Sequence, residues 1–144
     1  MRSLTLTALC AASWPALAAP SAVGTWKTID DDTGKPRSYV EITEQAGQLR
    51  GRIVALIDPE EPDPRCTQCS GAKKDRPIKG LEIMWGLQAN GAAQWSGGKI
   101  MDPENGKTYD CRIWLESEGE LKVRGSWLFL GRTQSWFRAA PPAP

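Results

Sequence analysis

The sequence predicts an all-β fold, an antiparallel sandwich or barrel, and three observations predict it. The clearest is the alternation from Thr108. Tyr109, Cys111, Ile113 and Leu115 share one side, while Thr108, Asp110, Arg112 and Glu116 face water, with Trp114 an exception on that outer face. The second is a series of short runs rich in β-formers: residues 23–29, 38–45, 48–57, 121–127 and 132–138. The third is the punctuation between them. Asp31-Asp32-Thr33-Gly34, Ala46-Gly47, Ala89-Asn90-Gly91, Glu104-Asn105-Gly106 and Glu118-Gly119 all supply residues that tolerate positive φ.

Two segments need separate treatment. Ile78, Leu81, Met84, Trp85 and Gln88 fit helical spacing, whereas Leu81, Ile83 and Trp85 fit a strand. Gly80 and Gly86 weaken a helix, so the strand is preferred. Residues 58–77 have no apolar periodicity, four prolines and a Cys-x-x-Cys pair, and run from acidic to basic. A loop this long in a small domain is either functional or disordered, and a disulfide inside it favours an ordered lid.

The N-terminus reads as an export signal. Arg2 precedes a mostly apolar stretch from Leu4 to Leu17, and Ala16-Leu17-Ala18 offers the small-x-small pattern of a cleavage site. Cys10 is not read as a lipoprotein site, because Leu9 stands before it where a small residue is needed. The expected organisation is a signal peptide over 1–18, a barrel domain over 19–138 and a disordered proline-bearing tail over 139–144. That predicts a periplasmic or secreted protein.

Composition narrows the function classes. The chain has no histidine, which removes Ser-His-Asp and Cys-His catalysis and the commonest transition-metal ligand. Of 18 basic residues Arg2 falls in the leader, so the remainder balances the 17 acidic ones and gives no basic excess for nucleic acid. No later apolar run is long enough to span a bilayer. No cofactor, catalytic residue or metal site is expected, and oligomeric state is not legible.

The candidate site residues follow from motifs. Gly24-x-Trp26 opens the first strand and Arg138 closes the last. In lipocalin-like barrels such an arginine packs over such a tryptophan to close one end, so Gly24, Trp26 and Arg138 are expected as barrel closure. Cys66-x-x-Cys69 is open to three readings. It can be a structural disulfide, a redox dithiol or part of a metal site. The first is favoured, because three thiolates without histidine make an incomplete site and nothing resembles a thiolate-stabilising helix start. Cys111 lies on an apolar strand face, as an inert thiol or a staple to the lid. Asp102 and Glu104 sit in turn chemistry. Lys73, Lys74, Arg76 and Lys79 form a candidate ligand mouth for an anionic headgroup, or merely a solvated face.

Together these elements resemble the DUF2147 family of small secreted bacterial proteins of unknown function. The resemblance rests on Gly24-x-Trp26 with Thr28, Cys66-x-x-Cys69-x-Gly71 and Gly80-Leu81. It continues through Trp95-x-Gly97-Gly98-x-Ile100-x-Asp102-Pro103, Gly106-Lys107-x-Tyr109-x-Cys111, Leu121-x-Val123-Arg124-Gly125 and Gly131-Arg132-Thr133-Gln134-x-Trp136. Ser126-Trp127-Leu128-Phe129-Leu130 departs from it, being bulkier than the glycine-bearing bend usual there. The resemblance implies an exported lipocalin-like β-barrel and no established activity. The leading functional expectation is a barrel binding a small apolar or amphiphilic ligand. The alternatives are a thiol–disulfide redox protein using Cys66 and Cys69, and a structural or interaction protein of the cell envelope.

Overall fold

Each strand hydrogen-bonds the strand that follows it, and the last returns to the first, which makes an eight-stranded closed antiparallel barrel. The computed structural model describes residues 12–144. The leader expectation therefore falls largely on residues outside the described ones, as does Cys10. The strands are β1 (Gly24–Ile29), β2 (Pro36–Gln45), β3 (Gln48–Leu56), β4 (Glu82–Ala89), β5 (Gln94–Met101), β6 (Thr108–Ser117), β7 (Glu120–Trp127) and β8 (Leu130–Ala139). β8 runs one residue past the expected end of the barrel domain, because Ala139 pairs with Thr25.

Up-and-down order puts alternate connections at the same end. The chain entry, residues 46–47, 90–93 and 118–119 gather at one end, called lower. Residues 30–35, 57–81, 102–107 and the 128–129 turn gather at the other, called upper. The turn residues read from the sequence do the turning. At the upper end, the Asp30 carboxylate accepts from the backbone N–H groups of Asp32 and Thr33. Asp102 accepts from Glu104 N at 2.9 Å and from the Asn105 amide at 3.0 Å, so its carboxylate is a turn device.

Inside, alternate residues of the strands fill the barrel. Trp26, Trp136, Ile42, Met84, Leu87, Ile113, Leu121 and Val40 are fully buried. Outside, ion pairs such as Arg50–Glu82, Lys99–Asp110 and Lys122–Glu120 line the wall. This is not the apolar outer band of a membrane-spanning barrel. No helix among the described residues is long and apolar enough to cross a membrane.

β4 explains its own ambiguous periodicity. It is a strand, but its register on β3 shifts twice, and Gly86 has φ 75°. Leu81, Ile83, Met84 and Leu87 are therefore buried in a spacing that is neither two nor 3.6. Trp85 lies outside that set, half-buried against the wall.

Candidate functional site

The lower end is closed by one side-chain stack. Trp26 is fully buried and its indole Nε1 donates to the Ala22 carbonyl at 2.8 Å. The Arg138 guanidinium lies 4.3 Å from the ring centroid. It also donates to the carbonyls of Glu118, Val23 and Ser21 at 2.7, 3.1 and 3.0 Å. Gly24 makes this possible: its φ is 136°, and a Cβ there would stand 2.9 Å from Arg138 Nη1.

The upper end is covered by the long loop. Arg65 and Pro77 form an isolated bridge, and Cys66 N donates to Arg76 O at 2.8 Å, so the loop is folded on itself. Cys66 and Cys69 are disulfide-bonded and both buried. Cys66 Sγ lies 3.4 Å from Pro103 O, and Cys69 Sγ 3.7 Å from Met101 Sδ. The disulfide thus seats the loop on the end of β5 and on the 102–107 turn. Thiol exchange needs an exposed sulfur for an attacking thiolate, and neither sulfur offers one. Cys111 is free and buried, its thiol pushed up to about 12 by burial, so it does not staple loop to barrel. For a ring closed over a sequence separation of 3, loop-closure entropy is about 2 kcal/mol. A Cys66→Ser/Cys69→Ser variant is therefore expected to stay a barrel by circular dichroism. Its hydrogen exchange and proteolysis should accelerate between residues 58 and 78.

Of the four cations proposed as a mouth, two are engaged by loop carbonyls and one by a β4 tryptophan. Lys73 Nζ lies 3.9 Å over the Trp85 ring, and burial there lowers its pKa. Lys74 donates to the Thr67 carbonyl, and Arg76 Nε to Ala72 O at 3.3 Å. Lys79 is exposed beside Gly80.

A different group occupies the upper end. β1 pairs with β8 only through Thr25, Trp26 and Lys27, so the seam between them is unlaced above that point. Polar side chains bridge it instead. Trp136 Nε1 donates to Gln134 Oε1 at 3.1 Å, and Gln134 Nε2 donates to Asp31 Oδ2 at 2.7 Å. Arg132 Nη1 pairs with the same Asp31 oxygen at 3.4 Å.

Exposure rises along the inward face toward this seam. In the row Leu121–Trp136 both residues are buried; in the next, Ile113 and Val123 are buried but Gln134 is half-exposed. One row further up, Cys111 is buried, Gly125 half-exposed and Arg132 exposed. The seam therefore presents a polar group, Asp31, Gln134 and Arg132, above a row in which Gly125 stands close to Ile100 and Tyr109. The sequence reading missed it. The signal was present in Gly131-Arg132-Thr133-Gln134-x-Trp136, where a period of two from buried Trp136 puts Gln134 and Arg132 on the inner face. A groove of about 390 Å³ at the lower end is lined by Asn90, Ser96, Trp95, Arg112 and Trp114. Its Asn90 and Ser96 already satisfy each other at 3.0 Å, and Arg112 lies over Trp114.

Comparison with known proteins agrees with this architecture. No curated protein matches the sequence. The chain is similar to the solved structure of protein HP1028 from Helicobacter pylori, described as belonging to the lipocalin family. The two share 25% identity over 83% of this chain and 84% of that one, with a TM-score of 0.73. Residues 24–138 match the family described as an uncharacterized protein conserved in bacteria, DUF2147. With the match running from the Gly24 of the closure motif to its Arg138, the chain belongs to the DUF2147 family and carries a lipocalin-like barrel.

Proposed function

We propose that this is an exported barrel that holds a small amphiphile at its upper end. The observation that carries this reading is the exposure gradient toward Arg132, Gln134 and Asp31 in a barrel whose opposite end is sealed. The polar head of the ligand meets Arg132 and Gln134, both already oriented by Asp31. Its apolar part meets Ile100 and Tyr109. Below the row of Gly125 the barrel is filled with Trp26, Trp136 and aliphatic side chains, so the ligand is held shallowly, under the disulfide-bearing loop. The Arg132 side chain is 71% exposed and is engaged by a 3.4 Å contact with one Asp31 oxygen, which leaves guanidinium donors for an anionic head.

Export is supported by three features. The leader pattern ends at Ala18, packing against the barrel begins at Ala22, and Trp14 and Leu17, which precede the expected cleavage point, are almost wholly exposed. The disulfide suits an oxidising compartment. The domain reading, leader to 18 and barrel beyond it, rests on the same features.

Native mass spectrometry of protein recovered from the envelope tests both parts. The expected result is a chain beginning at Ala19 with a co-purified small molecule. In titration with a dansylated fatty acid, Arg132→Gln should raise Kd about tenfold, equivalent to roughly 1.4 kcal/mol. Failure of the wild type to take up the probe, together with a bare chain in the spectrometer, would sink the ligand reading. A mass that includes Met1 would sink the export reading.

A further inference from the structure

The β7–β8 hairpin ends in a tip that nothing in the folding of the barrel requires. Trp127 is 64% exposed, Leu128 76%, Phe129 99% and Leu130 75%. Among the described residues these are four consecutive large apolar side chains held in water. Trp127 pairs with Leu130, so Leu128 and Phe129 form a two-residue turn, and Leu128 adopts φ 53°. A turn with positive φ at its first central position takes glycine there by preference, and a leucine in that conformation works against the hairpin. The turn itself therefore gives no reason for bulky apolar residues at these positions.

The chemistry around the tip selects the occupant. Residues 121–138 contain Lys122, Arg124, Arg132 and Arg138 and no acidic residue. Two of these cations stand at the foot of the tip. Arg124 lies against Gly131, where a Cβ would meet its guanidinium at 2.5 Å, and it donates to Thr133 Oγ1 at 3.0 Å. Arg132 lies on the inner side of the same hairpin, opposite Gly125, where it is 71% exposed and pairs with Asp31 at 3.4 Å. Apolar side chains at a convex point with guanidiniums two and three residues behind match an anionic bilayer surface. Trp, Leu and Phe enter its interfacial region while Arg meets headgroups. A protein partner would instead be expected to use a broader, flatter patch.

We propose that residues 127–130 dock the protein on anionic phospholipid membranes, with the upper end of the barrel turned toward the bilayer. This is a separate property from ligand holding, and it stands whether or not the mouth takes an amphiphile. The test is co-sedimentation of the purified protein with vesicles of phosphatidylglycerol and phosphatidylethanolamine, and with vesicles of phosphatidylcholine alone. The wild type should partition onto the anionic vesicles, and more weakly as salt rises. Leu128→Gly/Phe129→Asn replaces the tip with residues the turn prefers, so the variant should melt at or above the wild-type temperature. It should nevertheless lose at least about tenfold in vesicle partition, with dansyl fatty acid uptake unchanged. Arg124→Gln should narrow the difference between anionic and zwitterionic vesicles. The proposal is overturned if wild type remains in the supernatant, or if the tip variant sediments as wild type does. It is equally overturned if the tip variant dissolves a wild-type dimer in analytical ultracentrifugation without altering vesicle partition, since a second copy would then be what covers the tip.

Discussion

Replacing Trp26 by alanine should lower the unfolding free energy by about 3–5 kcal/mol, the range for deleting a fully buried large aromatic. Several losses coincide at this position. The ring is wholly enclosed, so its removal leaves a cavity at the sealed end that β1 and β8 cannot collapse into while they remain paired. The Ala22 carbonyl loses its indole donor. The Arg138 guanidinium loses its aromatic face but keeps three carbonyl acceptors, so it stays in place over a void. Urea denaturation of Trp26→Ala against wild type measures the loss. A change well below 1 kcal/mol would mean that the ring does not close this end. Trp26→Phe should recover much of the difference, since it restores most of the volume and the aromatic face but not the indole donor.

Most of the barrel was legible in the sequence because its inward positions obey a period of two. From Thr108 onward the pattern survives across β6, β7 and β8 because these strands pair with only one shift, at the end of β6. Where pairing slips, the pattern fails. The two shifts between β3 and β4 and the left-handed Gly86 break the period of two here, which is why Leu81 and Met84 also fitted a helical spacing. The long loop was recognisable from its prolines and cysteines. Its seat on Met101 and Pro103 was not, since it joins residues more than thirty positions apart. The Asp31–Gln134 contact spans 103 positions, and Asp31 had already been accounted for as a turn residue. A side chain in a turn is read as serving the turn. Only closure of the barrel brings this one across the seam to β8. The cations of the loop show the converse: they are close in sequence, yet Lys73 is directed to Trp85 and Lys74 and Arg76 to loop carbonyls, partners that spacing alone does not reveal.

Gly106→Ala should lift the long loop from the mouth and leave the barrel beneath it intact. Gly106 has φ 70°, a region in which alanine carries a cost of about 1–2 kcal/mol. A Cβ there would also collide with the Gln68 carbonyl oxygen and stand 2.5 Å from its carbon. Those are backbone atoms, and no rotamer change can move them aside. Gln68 lies between Cys66 and Cys69, inside the disulfide ring, so the ring must move as a unit. The contacts of the ring with Pro103 and Met101 go with it. Overpacking adds about 1–3 kcal/mol, and undocking the loop is the cheapest way to relieve it. The β-sheet signal in circular dichroism should therefore persist. Limited proteolysis should cut between residues 58 and 78, and the wild-type-resistant disulfide should become reducible by mild thiol. An intact loop with a lowered global melting temperature would place the strain in the barrel instead. An unchanged protein on all three measurements would mean that Gly106 does not contact the loop.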